Sequence, residues 1–340
     1  MIPIGISSGN SCPSTHPPHT LLAADIGGTK SNLALYKYDG SKLALTKEEK
    51  YPTKDFKSPD ALIEKFLGHE AIPDRICLGV AGPVQEGKAK ITNVHWEMDA
   101  AHLSAQFDKH PVFIVNDLEA NAYGLATLEE IDIHSLHTGH PQKGNIALIS
   151  PGTGLGEAGL FWDGTHYFPF ATEGGHSDFS PVTELDDDLL VYLRRKFGHV
   201  SWERVLSGPG IVNIFNFLKE ERDMDAPGWL LDRMAVHDIA AEISENGDTV
   251  AICVETMRLF FRYLATEAGN LALKIKATGG IYIGGGIVPK NIKKIDYGAF
   301  MKAFREKGRM KSLLEDIPVH IILNDKTALT GAAWYAINKC

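Results

Sequence analysis

Asp117 follows four apolar residues, Val112-Phe113-Ile114-Val115, with Asn116 between them. A carboxylate at the C-terminal end of a buried strand stands where α/β folds present reactive groups, and there it could accept a proton during group transfer. The same place suits an acid that caps the next helix, and position alone does not separate the two. Glu173 and His176 lie three apart around two glycines. A carboxylate and an imidazole offer an acceptor and a donor to vicinal hydroxyls; a surface contact or half of a metal site would use the same residue types. Two glycine-rich turns, Asp25-Ile26-Gly27-Gly28-Thr29-Lys30 and Gly152-Thr153-Gly154-Leu155-Gly156, supply a different chemistry. Glycine lets backbone N–H groups approach a polyanion with no Cβ in the way.

The apolar runs that flank these turns say how they are carried. Leu21 to Ala24 precedes the first turn and Leu33-Ala34-Leu35-Tyr36 follows it, while Ile146-Ala147-Leu148-Ile149 and Ala158-Gly159-Leu160-Phe161 flank the second. Each pair predicts a β-hairpin and not a strand feeding a helix. Two such hairpins in one chain suit two jaws on one triphosphate. No G-x-x-x-x-G-K-[ST] is present, and neither turn reads as G-x-G-x-x-G opening a helix.

Around them the pattern predicts a meander over 21–51, an amphipathic helix over 58–68, and buried strands at 75–80 and 112–115, the last leading into a helix that runs to about 127. After residue 145 the pattern restarts with the second hairpin. Helices over 186–197, 208–218 and 248–273, an apolar strand from Gly280, and a last helix over 327–338 complete it. A hairpin-plus-helix unit that recurs points to a duplicated α/β architecture with its ligand between the halves.

Length and composition bound the possibilities. A chain of 340 residues is long for one core, so two domains are expected. The 44% hydrophobic and 23% charged content is that of a soluble globular protein. A net charge of −9 gives no electrostatic reason to expect nucleic acid or an anionic membrane as partner. Cys12, Cys77, Cys253 and Cys340 are scattered without C-x-x-C, and they read as reduced thiols in a cytoplasmic protein. No apolar stretch reaches membrane-spanning length. Residues 1–20 are rich in Ser, Pro and Gly; without a basic start or an apolar block they read as a disordered extension, not a secretory signal.

Three of these elements, 25–30, 152–156 and Gly284-Gly285-Gly286, resemble the two phosphate elements and the adenosine element of the actin, sugar kinase and heat-shock chaperone ATPase superfamily. More narrowly, six strings in order resemble the bacterial glucokinase family. They are Gly79-Val80-Ala81-Gly82-Pro83, Thr92-Asn93-Val94-His95-Trp96, Asn116-Asp117, Glu173 to Phe179, Gly198 to Gly208, and Gly284 to Pro289. The resemblance runs in order from about Leu21 to Asn338, nearly everything except the N-terminal tail.

The resemblance implies a duplicated actin-like ATPase (ribonuclease H-like) α/β fold of two domains with a cleft. It places a small domain at 21–127 plus 327–340 and a large one at 128–326. It also implies an ATP-dependent glucokinase acting on the 6-hydroxyl of glucose with Mg²⁺, and leaves room for a homodimer. Asp117 would be the general base, Asn116 a sugar-hydroxyl ligand, and Glu173, His176 and Glu203 further sugar ligands; Glu203 is singled out by the matching string alone. Gly27, Gly28, Thr29, Gly152, Thr153 and Gly154 would hold the phosphates, and Gly284 and Gly285 the adenosine. Asp25 would approach Mg²⁺ through water, since that ion keeps much of its hydration. A related family places the His of Glu-x-Gly-His on a structural zinc beside a cysteine cluster, which this chain lacks. Other hexose or amino-sugar kinases fit the same residues. A sugar-responsive regulator would want a basic helix-turn-helix before Leu21, and a chaperone-like ATPase would leave Glu173, His176 and Glu203 without a role.

Overall fold

Strand β1 (His19–Ile26) turns straight back into β2 (Lys30–Tyr38) and on into β3 (Leu43–Pro52) in the computed structural model, which describes residues 2–6, 19–91 and 94–339. The first glycine turn is thus a hairpin turn, with Ile26 paired to Ser31 across it. Helix α1 (Pro59–Leu67) starts after Ser58 and stops at Gly68, whose φ of 60° few other residues tolerate. It leads into β4 (Arg75–Val80), which lies parallel to β1. A small antiparallel sheet of β5 (Val84–Gln85), β6 (Lys88–Ile91) and β7 (Trp96–Asp99) follows, then α2 (Ala100–Gln106). Strand β8 (Val112–Asn116) runs parallel to β4 and opens directly into α3 (Asp117–Gly124). The resulting sheet has the order β3-β2-β1-β4-β8.

A second sheet repeats the plan. Strand β9 (Ile133–His137) precedes the hairpin of β10 (Ile146–Pro151) and β11 (Leu155–Trp162), and β12 (Tyr167–Thr172) completes a second meander. Helices α4 (Glu184–Phe197), α5 (Gly208–Glu221), α6 (Gly228–Met234), α7 (Ile239–Glu245) and α8 (Ala251–Lys274) come next, then β13 (Gly280–Ile283). Helices α9 (Tyr297–Arg305) and α10 (Lys311–Asp316), strand β14 (Val319–Ile322) and helix α11 (Thr327–Asn338) end the chain. The sheet order is β12-β11-β10-β13-β14-β9. Its first five members match the first sheet position for position, and β9 is added antiparallel to β14. The duplicated α/β reading holds; β5–β7, β9, β12, β14 and the short helices are the elements that periodicity did not announce.

Two units separate by their internal contacts: Met1–Asp132 with Leu160–Ala171 and Asn324–Cys340, and Ile133–Gly159 with Thr172–Leu323. In the first, β1 is apolar on both faces because both are covered. Leu22, Ala24 and Ile26 pack with Phe66 and Ile63 of α1, whereas Leu21 and Ala23 face Ala120 of α3 and Leu329, Ala332 and Ala333 of α11. In the second, Ile149, Ile281, Ile283 and Ile321 share one core with Ile214, Phe215, Phe260 and Leu264 from the helices. Buried Asp186 of α4 accepts from Arg262 and from the Tyr263 hydroxyl (2.9 Å), tying α4 to α8. Cys77 and Cys253 are buried free thiols, and burial pushes Cys253 up to about 11; Cys12 and Cys340 lie outside the described residues. No helix among the described residues is long and apolar enough to cross a membrane.

Part of the expected disordered extension is ordered. Within 1–20, residues 1 and 7–18 lie outside the described residues, but Ile4 is buried and bridges Tyr167 in parallel. Gly5 N donates to Tyr167 O at 2.8 Å, and 19–20 already belong to β1. A free β-edge supplies backbone partners that composition does not reveal.

Helices α3 and α11 meet where neither has a side chain. A Cβ on Gly331 would lie 1.9 Å from Ala120 O and 2.4 Å from Gly124 N, and one on Gly124 would lie 2.1 Å from Thr327 O. Backbone cannot yield as a flexible side chain can. Gly331→Ala should therefore cost about 1–3 kcal/mol, as overpacking does, and lower the melting temperature by several degrees. Gly228→Ala, which would meet nothing within 4 Å, should melt like the parent protein.

Candidate active site

In the first unit the chemistry-bearing residues gather at the C-terminal ends of β1, β4 and β8. Asp25 is level with Gly79, and Val80 with Asn116, so Asp25 and Asp117 end strands two positions apart in the sheet. That spacing is roughly 10 Å at the usual strand separation. Gly79 keeps the ground between them clear: a Cβ there would lie 3.2 Å from Ala120 Cβ and 3.9 Å from Asp117 Cα. Gly82, with φ of 138°, turns the chain away after β4.

Asn116 is the cap of α3. Its Oδ1 accepts from Leu118 N (2.9 Å) and Glu119 N (3.2 Å), and its Nδ2 donates to Gly82 O (3.0 Å). One amide hydrogen is left for a ligand. Asp117 is the first residue of the helix, not its cap, although its Oδ1 also accepts from Leu118 N at 2.9 Å. The cap explanation thus belongs to Asn116.

The turn after β1 is braced by Thr53, whose hydroxyl donates to Gly27 O (2.7 Å) and whose N–H donates to Thr29 O (3.0 Å). Thr29 and Lys30 are exposed. Asp25 is half-buried, and burial raises its carboxyl pKa, with no cation among the described residues offsetting the desolvation. A hydrated Mg²⁺ needs only one or two carboxylates beside the phosphates it serves. Among the described residues no cluster of three or more His, Cys, Asp or Glu could hold a metal by itself. A lone, desolvated Asp25 fits that mode of binding and not a dedicated protein cage.

The second unit assembles its residues around the β10–β11 turn. Gly152 N donates to Gly154 O (2.8 Å), and Gly152 O accepts from Gly208 N (2.8 Å) at the start of α5. Glu203, half-buried on the 3₁₀ turn Trp202–Arg204, accepts from Leu155 N through Oε2 (2.9 Å). A Cβ on Gly154 would sit 2.4 Å from that same oxygen. Trp202 anchors the turn in the core, edge-on to Phe179 with ring centroids 5.0 Å apart. After β13, Gly284 N donates to Ile149 O (2.9 Å), and Gly285, with φ of 79°, would place a Cβ 2.2 Å from Pro151 O. Gly284 and Gly285 are therefore neighbours of the 152–154 turn.

Glu173 and His176 flank a 3₁₀ turn, with His176 Nε2 3.9 Å from Glu173 Oε2 and both side chains mostly exposed. The two glycines between them have a structural reason. A Cβ on Gly175 would lie 2.1 Å from Leu155 O, and one on Gly174 would lie 2.0 Å from Glu157 Oε2. They bring the loop onto β11. Trp202 N to Ser177 O (3.0 Å) and Phe179 N to Val200 O (2.9 Å) stitch this loop to the segment that carries Glu203. Glu157, buried on β11, was not singled out from the sequence; a single acid within Gly-Glu-Ala-Gly-Leu carries no signal of its own. Thr92 and Asn93 lie outside the described residues.

The division of labour between Asn116 and Asp117 is measurable. Asn116→Ala removes the acceptor of two helix N–H groups, so it should cost about 1 kcal/mol of stability, read by thermal or urea denaturation. Asp117→Asn keeps an acceptor oxygen for Leu118 N and should leave the transition nearly unmoved.

A family model described as Glucokinase matches residues 22–339. The glucokinase of Nostoc punctiforme is 38% identical over 332 residues, which cover 92% of this chain and 97% of that protein. That of Yersinia enterocolitica is 33% identical over 320 residues, covering 94% and 96%. Among solved structures, glucokinase from an Antarctic psychrotroph superposes with a TM-score of 0.80 at 32% identity, covering 94% of this chain and 99% of that one. A ROK family glucokinase from Streptomyces griseus, solved with glucose and AMPPNP, shares the fold at 21% identity and a TM-score of 0.64. These likenesses carry the actin-like ATPase fold as well, and the chain belongs to the glucokinase family.

Proposed function

We propose that this chain, a glucose kinase by family, transfers the γ-phosphoryl of ATP to the 6-hydroxyl of glucose, with Asp117 as general base. The observation that carries the reading is the placement of Asp117. It stands at the C-terminal end of β8, just past the Asn116 cap, and lies two strands from Asp25 in the same sheet. Phosphoryl transfer asks a protein mainly for alignment, charge stabilisation and an acceptor for the hydroxyl proton. The backbone N–H groups of Gly27, Gly28, Gly152 and Gly154 and the hydroxyls of Thr29 and Thr153 serve the phosphates. Gly284 and Gly285 leave a surface free of side chains for the adenosine. Mg²⁺ held through water by Asp25 would offset phosphate charge when bound.

Glucose is read by hydroxyl partners of fixed geometry. Glu203 is held by Leu155 N, and Glu173 and His176 are carried on a loop stitched to the Glu203 segment. Asn116 offers its remaining amide hydrogen. A site built to hydrogen-bond a hydroxyl discriminates strongly, because absence of the partner leaves polar groups unpaired.

Steady-state kinetics with glucose and ATP varied separately test these roles. Asp117→Asn should lower kcat by about 10²–10⁴, the usual worth of a general base, with glucose binding by calorimetry little changed. His176→Ala and Glu203→Gln should raise the glucose KM far more than the ATP KM; Gln is chosen because it keeps an acceptor for Leu155 N. A near-normal kcat in Asp117→Asn would remove the base assignment, and a selective ATP defect in the other two would remove the sugar roles. A panel of glucose, fructose, mannose and N-acetylglucosamine should give the highest kcat/KM for glucose.

A further inference from the structure

We propose that Glu157 is a positioning residue for sugar recognition, holding the 172–176 loop in place while its carboxyl is protonated and releasing it on ionisation. The inference rests on the reading of Glu173 and His176 as sugar ligands, and it adds a residue and a pH dependence to that reading. Glu157 is 1% exposed, and its Oε1 has no hydrogen-bond partner among the described residues. Its Oε2 lies in the space a Cβ on Gly174 would take, 2.0 Å from that position. The backbone on either side is coupled to the loop as well: Thr172 Oγ1 donates to Glu157 O (2.9 Å) and accepts from Gly174 N (3.2 Å). Glu157 is thus the floor on which the Glu173–His176 turn rests.

The charges around it oppose ionisation. On α8, Glu267 is fully buried and adds a second carboxylate. Burial raises the Glu267 carboxyl as well, and its oxygens are already engaged by Lys274 Nζ at 2.8 Å and Asn270 Nδ2 at 2.7 Å. Lys307, beyond α9, reaches Asn270 Oδ1 at 2.6 Å. Lys274 acts on Glu157 only as the smaller, opposing influence. On the loop itself stand Glu173 and His176, and Glu203 lies beside Leu155 on the same strand. Desolvation first, then Glu267, push the Glu157 carboxyl up to about 7.

The sign follows. Below about 7 the carboxyl is neutral and remains packed under Gly174. Above it, a buried anion with one oxygen unpartnered gains by reaching water, and the segment above it is the one that carries Glu173 and His176. Glucose affinity should fall as pH rises through 7. For stability, a carboxyl whose folded pKa exceeds its unfolded one makes a contribution that declines as pH rises from the unfolded value of about 4.5 through 7.

The test measures glucose KM, ATP KM and kcat from pH 6 to 8.5 for the parent protein, Glu157→Gln and His176→Ala. In the parent the glucose KM should climb by about fivefold or more, the low end of couplings between linked sites, with a much smaller change in ATP KM. Glu157→Gln, neutral at every pH, should abolish the climb, and its melting temperature should gain on the parent's between pH 6 and 8.5. Superimposable glucose-KM profiles for parent and Glu157→Gln, beside a raised glucose KM in His176→Ala, would overturn the role of Glu157 alone. A normal glucose KM in His176→Ala would remove the sugar reading on which it rests.

Discussion

The second unit depends on backbone pressed against backbone around the β10–β11 hairpin. Gly175 lies on Leu155 O, Gly285 on Pro151 O, and Gly208 N binds Gly152 O, each without a side chain between. The constraint is steric, since a Cβ at Gly175 or Gly285 would come within 2.1 or 2.2 Å of a carbonyl oxygen. Three loops far apart in sequence are thereby brought to one strand end. The 152–154 turn, the Glu173–His176 loop and the Gly284–Gly285 bend owe their proximity to this hairpin. Glu203 adds a polar tie, because the carboxylate proposed to read the sugar also holds Leu155 N.

The first unit solves the corresponding problem with small residues. Gly79 clears the floor beside Asp117, and the Gly124–Gly331 crossing lets α11 lie close along α3. The same five-strand plan therefore carries two kinds of chemistry. In the first unit, carboxylates stand at the ends of parallel strands. In the second, glycines and hydrogen-bonding side chains surround a turn. Duplication supplies the scaffold, and the loops at the strand ends supply the difference.

Much of this was legible in the residues. The apolar runs on either side of Gly27-Gly28 and Gly152-Thr153-Gly154 require hairpins, and hairpins formed. Asn116-Asp117 at the end of an apolar run reads as a strand end opening a helix, which is its place. The purpose of Gly174 and Gly175 was not legible, because it depends on which strand lies beneath the loop. Which of Asn116 and Asp117 caps the helix was also beyond the sequence, for both residue types cap well. Ile4 illustrates a further limit: Ile2, Ile4 and Ile6 alternate with Pro3 and Gly5 in a run too short to predict a strand, and Ile4 is buried because Tyr167 offers a strand edge far along the chain. Glu157 is hidden for the same reason. Its environment is made by Glu267 of α8 and Gly174 of the 172–176 loop, 93 residues apart along the chain.

The proposed reaction sends the γ-phosphoryl to one particular hydroxyl of glucose. The most direct measurement is phosphorus and carbon NMR of the products formed from glucose, ATP and Mg²⁺ by the purified protein. The account predicts a single phosphate monoester whose phosphorus couples to carbon 6, formed in step with ADP. A phosphate on another carbon, or ADP and inorganic phosphate with the glucose unmodified, would contradict it.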